Sequence, residues 1–246
     1  MAKTSFKKKE NVEEVEAEAS EETQVAKAAP AEVVPHGRKT IAHESKGLSG
    51  DFTDKDLRIP YLTMVGKSSE LADEFGGGHY VFDKELELSD GKEPINVTFI
   101  KADLTYVQDL DFESDETAEE FGSLQEAFDA GFTDNYDDRD DGKYVCPKLQ
   151  TVVLIEVAEE HASYEFEDKH FALAAYTMQK SAYTNGGKNL VNACLRGHLK
   201  EAIYHGPWKL SSWLKKTSFS YYVPKLKRDG LHTKEFIEFL ENEVCF

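Results

Sequence analysis

Cysteine is scarce in this chain of 246 residues: Cys146, Cys194 and Cys245 are far apart and odd in number, which excludes a disulfide framework and a CxxC metal site. They read as reduced thiols. No apolar run approaches the ~18 residues that a membrane span needs, and the start carries no signal-peptide pattern, so the chain reads as soluble, unexported and without a membrane partner. The cytosol is the expected compartment. Catalytic signatures are missing as well: there is no HExxH, no GxSxG, and no GxGxxG between a strand and a helix. In "TNGGKNL", Lys188 is followed by Asn189 and has no upstream partner glycine, so this is not a phosphate-binding loop. "DNYDDRDDG" resembles a calcium loop only in its opening, because the twelfth position counted from Asp137 is Lys148 and not a carboxylate. Nothing here gives a positive reason to expect an enzyme, a cofactor or a metal.

Positive charge is also in deficit. The formal net charge is -18, and a mean field of that sign repels phosphate at long range, so a simple polyanion binder is excluded. The distribution of charge therefore matters more than its sum. Residues 1–49 are Ala, Glu, Lys, Val and Pro with one aromatic, Phe6, too little apolar surface to offset the entropy of ordering, and they read as a disordered arm opening on Lys7, Lys8 and Lys9. Roughly 180 to 190 residues remain for one core, enough for a well-buried interior.

That remainder reads as mainly β. "LRIPYLTMVG" fits an edge strand, "GGGHYVFDKELEL" a hairpin, and "PINVTFIKADLTYVQ" alternates Ile95, Val97 and Phe99 against Asn96, Thr98 and Ile100, the period of a half-buried strand. "LQTVVLIEV" and "HFALAAYTM" are short apolar runs suited to buried strands. Helical spacing of Phe121, Leu124, Phe128 and Phe132 predicts a helix inside an acid-rich insertion, Asp109 to Asp141. A second helix is expected through "GGKNLVNACLRGHLKEAI", with Val191, Cys194, Leu195, His198, Leu199, Ala202 and Ile203 on its apolar face. Residues 50–230 thus form an α+β domain, and 231–246 are either a packed helix aligning Phe236, Phe239 and Leu240 or an acidic tail ending in Phe246.

Against this background, "WKLSSWLKKTSFSYYVPKLKR", Trp208 to Arg228, contains no acid at all. From Lys180 to Arg228 ten cations accompany a single acid, Glu201, with tyrosine and tryptophan among them. Unpaired nucleic acid asks for this mixture: cations follow the backbone while every base offers a face to stack on. The candidate binding residues are Lys188, Arg196, Lys200, Lys215, Lys216, Lys225 and Lys227, with Tyr183, Trp213 and Tyr222 as stacking platforms. Alternation through "TSFSYYVP" sets Phe219 and Tyr221 on one face and Ser218, Ser220 and Tyr222 on the other; Tyr222 and Tyr183 are the expected exposed pair. Tryptophan and tyrosine also serve a β-barrel core, and dispersed lysines can coat any surface.

The segments "IPYLTMVGKSSEL", "TVVLIEV", "GGKNLVNACLRG" and "SFSYYVPKLK", in this order between Leu57 and Arg228, resemble bacteriophage single-stranded DNA-binding proteins with an OB-like antiparallel β-barrel. The insertion at 109–141 departs from a minimal OB barrel, and the final segment is less acidic and more apolar than the tails of such proteins. The resemblance implies coating of displaced single strands during replication or recombination in a bacterial host cell, with no cofactor. It also implies contact with replication proteins through Phe246. Two other classes stay open: a phage-like scaffolding protein acting through protein contacts, homo-oligomeric or not, and a DNA enzyme holding metal at Asp134 to Asp141.

Overall fold

The structure, a computed structural model, describes residues 59–110, 114, 116–137, 142–197, 199 and 201–245. The expected arm at 1–49 lies outside them. Among the described residues, ten strands make two antiparallel sheets. β1 (Leu62–Met64), β2 (Tyr80–Phe82) and β3 (Leu86–Ser89) form the small one, in that order, and β2–β3 is the hairpin expected after the glycine triplet. The large sheet runs β10 (Ser220–Arg228), β9 (Pro207–Lys216), β4 (Ile95–Gln108), β6 (Val145–Glu156), β8 (Lys169–Gln179) and β7 (Tyr164–Phe166), with β5 (Glu120–Phe121) paired to β4. No helix among the described residues is long and apolar enough to cross a membrane.

Alternation gives the large sheet an inner and an outer face. Val97, Phe99, Val153, Ile155, Ala174, Tyr176, Trp208, Leu210 and Leu226 point inward and join Leu62, Tyr80 and Phe82 of the small sheet in the main core. Edge-to-face contacts between Phe99 and Trp208 (centroids 6.0 Å apart) and between Tyr80 and Tyr176 (6.4 Å) lie in this layer. In β4 the register against β6 shifts between Phe99 and Lys101, a bulge that reverses the phase of the strand. Ala102 and Leu104 then pack on the main core, while Ile100 turns to the opposite cluster.

The two sheets are joined at two places but do not close into a barrel. At one, the Ala175 amide donates to the Pro60 carbonyl (2.8 Å) beside the Tyr61–Ala175 bridge; at the other, the Ser212 amide donates to the Gly91 carbonyl (2.8 Å). Gly91 (φ +80°) is needed at the second place, because a Cβ there would lie 2.0 Å from the Gly78 carbonyl oxygen.

Helices fill the remaining gaps, and two differ from their expected extents. α1 (Leu124–Asp129) is a short helix, because the Ser123 side chain caps it by accepting from the Glu126 amide (3.2 Å) and Gly131 (φ +87°) follows its end. Phe121 belongs to β5 instead, and Phe128 is exposed, so the expected stripe of four apolar residues is broken. The second helical segment comprises α2 (Lys180–Ala182), a π-turn over Tyr183–Gly187 and α3 (Lys188–Leu195). Gly197, at φ +70°, stops it after Leu195 rather than near Ile203; Leu190 and Ala193 are buried, whereas Leu195 is 81 % exposed.

The acidic C-terminal segment is a packed helix over most of its length. α4 (Lys234–Phe239) and a π-turn, Leu240–Val244, lay Phe236, Leu240 and Val244 against Leu154 and Phe171 on the outer face of β6 and β8. The Thr233 hydroxyl caps α4 by accepting from the Phe236 amide (3.3 Å). Phe246 lies outside the described residues. Leu240 is fully buried, so Leu240→Ala is expected to cost about 2–5 kcal/mol in urea unfolding, against under about 0.5 kcal/mol for Leu231→Ala at an exposed position.

Candidate nucleic-acid interface

β9 and β10 pair along their whole length, but β4 pairs only with Pro207–Leu210 of β9, so Ser211–Lys216 and their partners continue beyond it as a two-stranded ribbon. Directly opposed residues share a face. On the outer face Lys209 lies opposite Lys227, Ser211 opposite Lys225, Trp213 opposite Val223, and Lys215 opposite Tyr221. On the inner face Leu210 meets Leu226, Ser212 meets Pro224, Leu214 meets Tyr222, and Lys216 meets Ser220.

The outer face is basic and aromatic. Trp213 is 45 % exposed; Phe219, in the turn between the strands, is 69 % exposed and lies 5.4 Å from the half-buried Tyr221 between ring centroids. Lys225 and Lys227 are exposed and Lys215 is half-buried, and among the described residues none of the three has a carboxylate within ion-pair distance. Lys209 pairs with Asp229 (2.8 Å), and the hydrogen bond from its ammonium, more than any longer-range charge, holds the Asp229 carboxyl below its ordinary range. Exposed cations without partners are free to meet phosphate at no cost of a broken pair.

The residues singled out in the sequence divide between the two sides of the ribbon. Lys215, Lys225, Lys227 and Trp213 gather on the outer face. Lys216 and Tyr222 fall on the inner one, and Tyr222 is half-buried against the glycine triplet: a Cβ on Gly78 (φ +92°) would lie 2.6 Å from its ring. Tyr183 corrects the expectation of an exposed pair. It is 8 % exposed, in the main core beside Gly187, and burial raises its hydroxyl pKa. Its aromatic face contributes to the interior, with Lys188 Nζ 6.0 Å from the ring centroid. Lys188 and Arg196 are exposed on the helical segment that packs beside β10, with Gly186 against Pro224. Lys200 and Phe246 lie outside the described residues, as do 138–141 of the acidic cluster. Lys209 and Tyr221 belong to the same face through the strand pairing, which composition does not carry, and Phe219 joins them by its contact with the Tyr221 ring.

The outer face continues across the sheet. Asn96 and Thr98 of β4 lie opposite Lys209 and Pro207, hence on the same side. Beyond them, where α4 rises over β6, there is a cavity of about 280 Å³ lined by Asn96, Thr98, Pro207, His232 and Phe236 among others. Within it the Thr98 hydroxyl and His232 Nε2 share a hydrogen bond (2.9 Å). Burial, reinforced by the neighbouring His205, lowers the His232 pKa to about 4. Among the described residues no group of three or more His, Cys, Asp or Glu side chains is placed to hold a metal ion.

No family model matches the chain, and neither a curated protein nor a solved structure does.

Because the unfolded imidazole titrates near pH 6.5, the unfolded chain takes up the His232 proton first as pH falls. This histidine therefore contributes stability at neutral pH that is lost progressively as pH drops from about 6.5 towards about 4. His232→Gln, which keeps a hydrogen-bonding group near Thr98, is expected to flatten the fall of Tm between pH 6.5 and 5, measured by thermal circular dichroism.

Proposed function

We propose that this chain binds single-stranded DNA without sequence specificity and that the outer face of the β9–β10 ribbon is its stacking platform. The observation that carries the reading is the pairing register: it gathers Lys215, Lys225 and Lys227 with Trp213 and Tyr221 on one side, and Phe219 in the turn packs on Tyr221. Flat rings take bases of any identity while the lysines release counterions from phosphates. The chain as a whole carries a net charge of -18 despite this basic strip, so the rest of it repels nucleic acid and confines it here. The two joints between the sheets, together with the antiparallel order, support reading the fold as an open relative of the OB-like barrel. Coating of displaced strands in phage-type replication or recombination, in the cytoplasm of a bacterial host, is the biological setting that this reading favours. Replication proteins are then the partners proposed for the C-terminal segment.

A second reading, a scaffolding protein acting through protein contacts, is favoured by one observation. Leu195, Leu231 and Phe219 are each more than two-thirds exposed, at 81 %, 67 % and 69 %. Sedimentation without DNA separates the two: stable self-association favours the scaffold, a monomer that assembles only on DNA favours the binder.

Oligo-dT is expected to quench Trp213 emission, while Trp208, at 2 % exposure, keeps its signal as an internal control. Trp213→Ala should weaken binding by about 1–3 kcal/mol. Lys225→Gln and Lys227→Gln should each reduce the log–log salt slope by about 0.7. An absence of quenching at low salt refutes the reading.

A further inference from the structure

Resting on the DNA-binding reading, we propose that the cavity between β4 and α4 is a base pocket that takes one unpaired nucleobase of the strand lying on the β9–β10 ribbon. Position is the first reason. Asn96, Lys209 and Lys227 form a row across β4, β9 and β10 on the outer face, about 10 Å from end to end at the usual strand spacing. Trp213 is four residues along β9 from Lys209, about 13 Å. A strand that stacks on Trp213 and runs down β9 with its phosphates on Lys225, Lys227 and Lys209 arrives at Asn96, the mouth of the cavity.

Size and polarity select the occupant. About 280 Å³ falls below the ~300–1,000 Å³ of sites for drug-sized ligands and suits a single ring system. The walls are largely apolar, with Leu154, Phe171 and Phe236 contributing, and Phe236 belongs to a cluster of aromatic rings with Phe166 and Phe171. Charge argues against a phosphate inside: Glu156 and Glu167 line the cavity with Lys169, which is already paired to Glu156 (2.9 Å). The lining is thus one charge negative, two acids against one lysine, and it admits a neutral heterocycle while the backbone stays on the ribbon. Neutral hydrogen-bonding groups are what remain. The exposed Asn96 amide has no hydrogen-bond partner among the described residues and offers a donor and an acceptor side by side, the pattern that adenine matches through its N6 and N7. Thr98 and His232 are held by their mutual bond at the rear of the same site.

The pocket changes what the platform does. Stacking alone lets a strand slide, whereas a base seated beside α4 fixes its phase. It also gives the C-terminal helix a part in binding without requiring it to be a mobile tail.

The test uses the full chain and two independent readouts: Trp213 emission for the ribbon, and the His232 ring resonances, assigned with His232→Gln, for the pocket. Oligo-dA should quench the tryptophan and shift the His232 signals together. In a series of oligonucleotides each lacking one base, one abasic position should lose the His232 shift and on the order of 10-fold in affinity, while quenching at saturation persists. Asn96→Phe, a change at an exposed position that fills the mouth, should remove both the shift and that positional effect; Asn96→Ala should weaken the preference for adenine over thymine there. Quenching with unmoved His232 signals, or Asn96→Phe binding like the parent chain, overturns the pocket and leaves the platform standing. Absence of quenching removes the platform, and the pocket as a strand-binding site goes with it.

Discussion

Everything in this molecule depends on one large antiparallel sheet whose two faces are covered unequally. Its inner face is buried by the small sheet and by the π-turn and α3, except at the end of the ribbon, where Leu214 and Lys216 are exposed. Its outer face is covered by α4 and the following turn over β6 and β8. Over β9 and β10 the same outer face carries Trp213, Lys225 and Lys227 to solvent, with Lys215 and Tyr221 half-buried and Val223 buried among them. Because side chains alternate, the sheet buries Trp208 and exposes Trp213 from one strand. The two tryptophans therefore have different physical roles, one filling the core and the other standing at the surface.

Electrostatics acts through the same geometry. In a chain with an 18-charge acidic excess, local potential depends on which side chains lack close partners, and among the described residues Lys215, Lys225 and Lys227 have no carboxylate at ion-pair distance, though Lys227 acts on Asp229 from further away. Elsewhere the visible cations are often spent on acids: Lys148 on Glu120, Lys169 on Glu156, Lys101 on Asp103, and Lys180 on Asp109. Exposed pairs of this kind add little stability. What sets the ribbon apart is the gathering of unpaired lysines on one face of two paired strands beside exposed rings, since cations unpaired among the described residues, such as Lys67, Lys84 and Lys143, stand elsewhere on the surface.

Much of the fold was legible in the sequence. The alternation of Ile95, Val97 and Phe99, the apolar runs of β6 and β8, and the hairpin after the glycine triplet appear where local pattern placed them, because each signal is carried by neighbouring residues. What was not legible depended on distant partners or on a single terminating glycine. Gly197 ends α3 before the apolar residues that seemed to extend it, and the bulge at Ile100 is set by β6. The site was legible in composition and not in geometry: the block from Trp208 to Arg228 was found from its lack of acids, but only the register divides Trp213 and Lys225 from Tyr222 and Lys216. Tyr183 went the other way, since a tyrosine next to "TNGG" has no local mark that distinguishes a core ring from a surface ring.

The joints between the small sheet and the large one have a consequence for motion. Beyond the shared core, they comprise main-chain bonds from Ala175 to Pro60 and from Ser212 to Gly91, with side-chain bonds from the Ser212 hydroxyl to the Gly78 carbonyl (2.6 Å) and from the Tyr80 hydroxyl to the Ser211 carbonyl (3.0 Å). Within the large sheet, by contrast, β4 and β6 are laddered over eleven paired positions. The small sheet is laddered over three positions in each pairing, and Leu62, Tyr80 and Phe82 sit in the shared core, so any opening of β1–β3 that spares the central strands has to bring those three side chains into water.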